Sequence, residues 1–157
     1  MALPLCSINQ LQDERLRRAY EYWDAKRGNR HMPSRADIDP VDLSFCLGYL
    51  CLVEIVAGPQ LRFRFRVDGS NCVGLSGIEL TGRFVDEIPM QDYRDVTQHA
   101  YTEIVETRRT HFYLDDEIWD NRHYQVEGLL LPLSPDDNKV NMIIDVMLPS
   151  IVRDRRP

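Results

Sequence analysis

The chain has 157 residues, 43% hydrophobic and 28% charged, with a formal net charge of -6, a composition that fits one soluble domain able to bury about two-thirds of its unfolded surface. The acidic balance argues against nucleic acid, whose sequence-independent affinity comes from clustered Lys and Arg. The longest apolar run, 47–58, contains Glu54 and is too short for a bilayer, and residues 1–10 lack the basic start and apolar core of a signal peptide. A cytoplasmic protein without membrane contact is expected, with Cys6, Cys46, Cys51 and Cys72 as free thiols, since none has the short paired spacing of a zinc site or redox dithiol.

In chain order, Ser7 with Gln10 forms a capping-box pattern that predicts a helix from Ser7 to Gly28. Its apolar stripe is Leu16, Ala19, Tyr20 and Trp23, opposite the charged Glu14, Arg15, Arg18 and Asp24. Asp39-Pro40 with Asp42 predicts one short helix. From Tyr49 the pattern turns to strands: "YLCLVEIV", the Gly58-Pro59 turn, then "LRFRFRV", with Leu61, Phe63, Phe65 and Val67 on one face and Arg62, Arg64 and Arg66 on the other. The Gly-rich stretch 68–89 suits turns and short helices, with Cys72 and Leu75 turned inward. Residues 91–109 form a long helix with Tyr93, Val96, Ala100 and Ile104 on one face. Three strands follow, "THFYLDDEIW", "HYQVEGLLLPLS" and "VNMIIDVMLP". The last is apolar on both faces and belongs at the centre of a covered sheet. The expected fold is α+β, a five-stranded antiparallel sheet with a helical crossover and the first helix on the outer sheet face.

This order of elements resembles the PAS superfamily. Trp23, "PSRADIDP" at 33–40, "RFRFRVDGS" at 62–70 and "GIELTGR" at 77–83 make the chain similar to a bacterial family of small stand-alone PAS proteins, mostly uncharacterised, over Trp23 to Leu148. The resemblance implies an N-terminal helical extension over 1–48, a PAS-like domain over 49–150 and a short tail over 151–157, together a single structural unit. It also implies a sensor or interaction module in signal transduction rather than an enzyme. PAS domains commonly dimerise through such an extension, which makes Leu16, Tyr20 and Trp23 candidate anchors for a homodimer or a signalling partner. The alternative is that the same stripe packs on its own sheet. A small-molecule pocket between the inner sheet face and the long helix would be lined by Phe63, Phe65, Tyr93, Val96 and Ala100, the same side chains that could simply fill a core.

Cofactors known in the superfamily find little support. Residues 68–77, "DGSNCVGLSG", look like the cysteine loop of flavin-binding blue-light receptors, but in those receptors the loop follows the segment resembling "GIELTGR", whereas Cys72 precedes it. The late strands "EGLLLPLS" and "IIDVMLP" offer no Asn or Gln to a flavin ring. Haem would need His99, which lies at the edge of the helix stripe. His31, His111 and His123 show no metal spacing, and no metal site or cofactor is expected. An enzyme reading would use His123 as a base with Asp120 or Asp145 as its orienting carboxylate. Asp145 interrupts the central strand and calls for an Arg or a backbone donor, most simply through an ion pair to the first helix. The arginine row reads as protection of an edge strand, with Glu54 as one available partner.

Overall fold

The computed structural model describes residues 2–119 and 121–151. The first strand, β1 (Leu5–Cys6), precedes a single 3-10 turn at Ile8–Gln10. Gln10 accepts the Ser7 N–H at 2.8 Å, so the capping pattern is used, but Leu11 returns to extended backbone. Helix α1 is Glu14–Arg27, capped by the Asp13 carboxylate on the Arg15 N–H at 2.9 Å and ended by Gly28 at φ 57. The predicted start at Ser7 is therefore corrected by seven residues, from Ser7 to Glu14. The cause is tertiary: the Glu127 carboxylate takes the N–H groups of Gln12 and Asp13, at 2.7 and 2.9 Å, and holds this stretch extended.

The short Asp39-capped turn forms at Pro40–Leu43, with Asp39 accepting from Val41 N–H at 3.0 Å. Strands β2 (Leu50–Val56) and β3 (Arg62–Val67) make the hairpin, followed by α2 (Ser70–Ser76), a 3-10 turn at Val85–Glu87 and α3 (Gln91–Thr107). Strands β4 (His111–Trp119), β5 (Arg122–Leu133) and β6 (Met142–Ile151) complete one six-stranded sheet of order β1-β4-β5-β6-β2-β3, antiparallel throughout. The α+β expectation holds, with Leu5–Cys6 as an added strand pairing Tyr113 and Phe112. Strand β1 pairs with β4 and helix α1 packs on the sheet, so both elements are part of the fold. The last strand is central, between β5 and β2, and its Ile143 and Ile144 point to opposite faces yet are both buried.

Helix α1 covers one face. Leu16 and Trp23 are 0% and 5% exposed in the single chain, Trp23 donates its indole N–H to the Pro132 carbonyl at 2.9 Å, and the Tyr20 ring meets the Phe112 ring edge-on at 5.2 Å. Leu16 and Trp23 thus pack on their own sheet in the single chain, the alternative reading of the stripe, while Tyr20 stays partly exposed. The other face carries α3, whose buried residues are Thr97, Ala100, Tyr101 and Ile104. Tyr93 and Val96 sit at the margin, because the helix is rolled toward Tyr101, whose hydroxyl has an acceptor in the sheet.

On β3, Phe63 and Phe65 are buried but Val67 is 41% exposed. The register between β2 and β3 shifts between Leu52 and Val53, and a bulge of this kind turns the last residue out of the alternation. Strand β3 is the sheet edge, as expected. Arg64 and Arg66 both reach Glu54, and Arg62 forms a two-pronged pair with Asp86 at 2.7 and 2.8 Å. The "GIELTGR" segment closes this edge further: Phe65 N–H donates to Arg83 O and Gly82 N–H to Phe65 O. No helix among the described residues is long and apolar enough to cross a membrane.

Candidate functional site

The inner sheet face and the first half of α3 diverge toward β4 and leave a cleft of about 460 Å³. Tyr93 and Val96 form one wall, Asp115, Glu117 and Ile118 the other, and Met90 and Pro4 close the end. A separate cavity of about 40 Å³ adjoins it, sharing Tyr93, Val96 and Glu117 with the cleft and reaching Tyr101, Tyr113, Ala100 and Asp145. Of the predicted pocket residues, Tyr93 and Val96 line the cleft and Ala100 lines the adjoining cavity. Phe63 and Phe65 do not: they are 0% and 1% exposed and pack edge-on against Tyr101 at 5.6 and 6.5 Å. Their large rings fill the core where β3 meets α3, so that part of the pocket prediction is corrected.

The floor of this smaller cavity is Asp145, which faces α3 from β6. Tyr101 donates its hydroxyl to Oδ2 at 2.8 Å and Tyr113 donates to Oδ1 at 3.4 Å. Among the described residues neither the expected arginine nor an ion pair to α1 meets Asp145, since α1 packs on the opposite face. Tyr113 fits because it stands directly across from Gly128, where an added Cβ would lie 2.1 Å from its ring. Burial pushes the Asp145 carboxyl up to about 6, partly opposed by the two phenol hydrogen bonds and reinforced by the charge of Asp68. Glu117 is pushed up to about 7, first by burial and then by Asp115 and Asp145. The phenols of Tyr93, Tyr101 and Tyr113 are raised well above their usual range, mainly by burial. The cleft, with Asp115 and Glu117, and the adjoining cavity, with Asp145 and its two phenols, therefore offer acceptor carboxylates, an environment that suits hydrogen-bond donors and disfavours anions.

A second group lies on the same face. Cys51 of β2, Asp68 after β3 and Cys72 of α2 place their ligating atoms within 4.8 Å of one another. The Cys51 thiol donates to Asp68 Oδ1 at 3.4 Å. Sequence spacing missed this group because the two cysteines come from different elements. The parity of Cys51 with the inward Val53, and the inward Cys72 of α2, were the signals available. Tyr101, Tyr113 and Glu117 were also missed, since a tyrosine within a strand or helix pattern gives no sign of the acceptor it will meet.

The other predicted residues are not brought together. His99 points outward, its side chain 48% exposed, with Nε2 3.4 Å from Glu103, so it offers nothing to a haem in the cleft. His123 lies on the exposed start of β5 and pairs with Asp116 at 3.3 Å. Asp145 pairs with Leu130, seven residues further along β5, which is about 23 Å of strand. The His123–Asp145 pairing is thereby excluded, and Asp120 lies outside the described residues. A recess of about 230 Å³ beside His31 and Arg108 is a loop junction in which Asp137 accepts the N–H groups of His31 and Met32.

An antiparallel sheet with its central strand last in the chain, one long helix and short helical turns over its inner face, and a cleft between them define a PAS-type sensory fold. The chain belongs to the PAS domain family, whose sequence model matches residues 11–148. No curated protein matches it. Among solved structures it is similar to a fungal LOV domain photoreceptor, at 12% identity and a TM-score of 0.43, over 74% of this chain and 95% of that one. A likeness at that level carries nothing about light or flavin to this chain.

Proposed function

We propose that the protein is a signalling sensor that binds a small cationic or uncharged hydrogen-bond donor in the cleft between α3 and β4, and passes the signal on through contact with another protein. The observation that carries this reading is the Asp145 carboxylate in the small cavity adjoining the cleft, held by two phenols and, among the described residues, paired with no cation. The volume of about 460 Å³ falls in the range of small-molecule sites. A bound donor would draw on Asp145 and Glu117 and shift Tyr101, and Tyr101 links the helix to the hairpin through Phe63 and Phe65. Movement of α3 against the sheet is therefore the route by which occupancy reaches the surface. With Leu16 and Trp23 buried, a partner or second copy would use other surfaces.

Native mass spectrometry of the purified chain, alone and with butylamine, imidazole or acetate, tests this reading. An adduct with the amine or imidazole but not with acetate, abolished in Val96→Trp with the circular dichroism unchanged, is the expected result. Equal uptake of acetate, no uptake of either base, or binding indifferent to Val96→Trp would overturn it.

A further inference from the structure

We propose that Cys51, Asp68 and Cys72 form a binding site for one thiophilic divalent cation, zinc being the ion that fits the donors. The site is separate from the cleft reading and does not depend on it. Two sulfurs and one carboxylate oxygen are three of the four ligands of a tetrahedral zinc centre with one position left open. The mixture of soft and hard donors disfavours magnesium and calcium, which take oxygen alone, and copper(I), which prefers sulfur alone.

Geometry supports the assignment. Zinc bonds of about 2.3 Å to sulfur and about 2.1 Å to oxygen set ligand separations of about 3.6–3.8 Å around a tetrahedral ion. The three ligating atoms already lie within 4.8 Å of one another, and Cys51 Sγ is 3.4 Å from Asp68 Oδ1. Only small side-chain adjustments separate this arrangement from a bound one.

The carboxylate is held from behind. Asp68 Oδ2 accepts the Leu80 N–H at 3.0 Å, and the Asp68 N–H donates to Thr81 Oγ1 at 3.2 Å, which leaves Oδ1 turned to the sulfurs. Support of this kind is what orients metal ligands in built sites. Gly69, at the start of α2, fixes the third ligand. An added Cβ there would lie 2.4 Å from the Gly48 carbonyl oxygen, so glycine lets α2 close onto the segment leading into β2 and bring Cys72 to Cys51.

Asp145 is the cross-strand partner of Cys51, and among the described residues neither Asp68 nor Asp145 pairs with Lys or Arg. A dication would offset this one-sided charge. Cys51 and Cys72 are 8% and 6% exposed, so the group lies just beneath the surface at α2 rather than deep in the core. On binding, both thiols lose their protons to solvent and two zinc–sulfur bonds form. Asp68 Oδ1 exchanges its S–H donor for the metal, and no electron is transferred. Affinity accordingly rises with pH.

The test uses the full chain, reduced and freed of metal with a chelator, titrated with zinc and separately with cobalt(II). One equivalent should bind at micromolar free metal with release of about two protons, and cobalt should give thiolate charge-transfer bands and tetrahedral d–d bands. Cys72→Ser and Asp68→Asn should each weaken binding at least tenfold, while Cys6→Ser and Cys46→Ser leave it unchanged. Should a variant fail to fold, zinc-dependent protection of Cys51 and Cys72 in the wild-type chain from iodoacetamide, mapped by peptide mass, gives the same answer. Absence of metal uptake, cobalt spectra without thiolate bands, equal binding by a folded Cys72→Ser chain, or thiols alkylated equally with and without zinc would each overturn the proposal.

Discussion

Asp145 is a carboxylate in the middle of an apolar strand, partnered by phenols instead of a cation. Its position sets the sign of a pH effect. An unfolded chain ionises this group near 3.8, whereas the folded chain keeps the proton up to about 6, so folding stability falls as pH rises across that window. Glu117, shifted from 4.5 to about 7, extends the fall toward neutrality. Asp145→Asn removes the ionisation while retaining an oxygen acceptor for one tyrosine. In metal-free buffer it should raise stability at about pH 7 by roughly 1–3 kcal/mol, with little gain at about pH 4. Urea unfolding at the two pH values checks this, and an equal effect at both would refute the linkage. The sequence flagged Asp145 as a group needing a partner. It could not name that partner, because Tyr101 and Tyr113 come from elements 44 and 32 residues away, and which face of the strand they share is set by how α3 rolls onto the sheet.

Among the elements, α1 depends on a clamp that spans more than a hundred residues. Glu127 on β5 accepts two backbone N–H groups ahead of the helix, while Asp13 caps its first turn. Glu127→Ala should destabilise the fold by about 1–3 kcal/mol through loss of two hydrogen bonds to a charged acceptor, and Asp13→Ala by about 1 kcal/mol as a lost helix cap. Chemical denaturation ranks the two, and the reverse order would place the helix start under local control. The Ser7–Gln10 pattern illustrates what local reading provides: it does form its hydrogen bond, but around one 3-10 turn, because a competing long-range acceptor holds the next residues extended. The hairpin, the long helix and the β3 edge were legible, since alternation and helical spacing report burial directly. The turn of Val67 away from the core was not, because a bulge leaves no mark in the alternation of its own strand.

At the scale of the whole molecule, the outer face of the sheet is closed by α1 from the same chain. Leu16→Ala should therefore cost about 2–5 kcal/mol, as expected for a cavity in a packed core. The thermal midpoint should fall by the same amount at every protein concentration. A loss that deepens on dilution, followed by calorimetry or by sedimentation, would instead mean that the stripe serves an interface between copies.

By itself the sequence determined the kinds of elements, their order, the central place of the last strand and the PAS character of the whole, because these follow from hydrophobic period, turn residues and motif order along one chain. Tertiary structure alone decided where α1 begins, which side chains fill the core rather than line the cleft, and that Cys51, Asp68 and Cys72 meet. Those features depend on contacts between residues distant in sequence, and local pattern carries no information about the register and roll that bring such residues together.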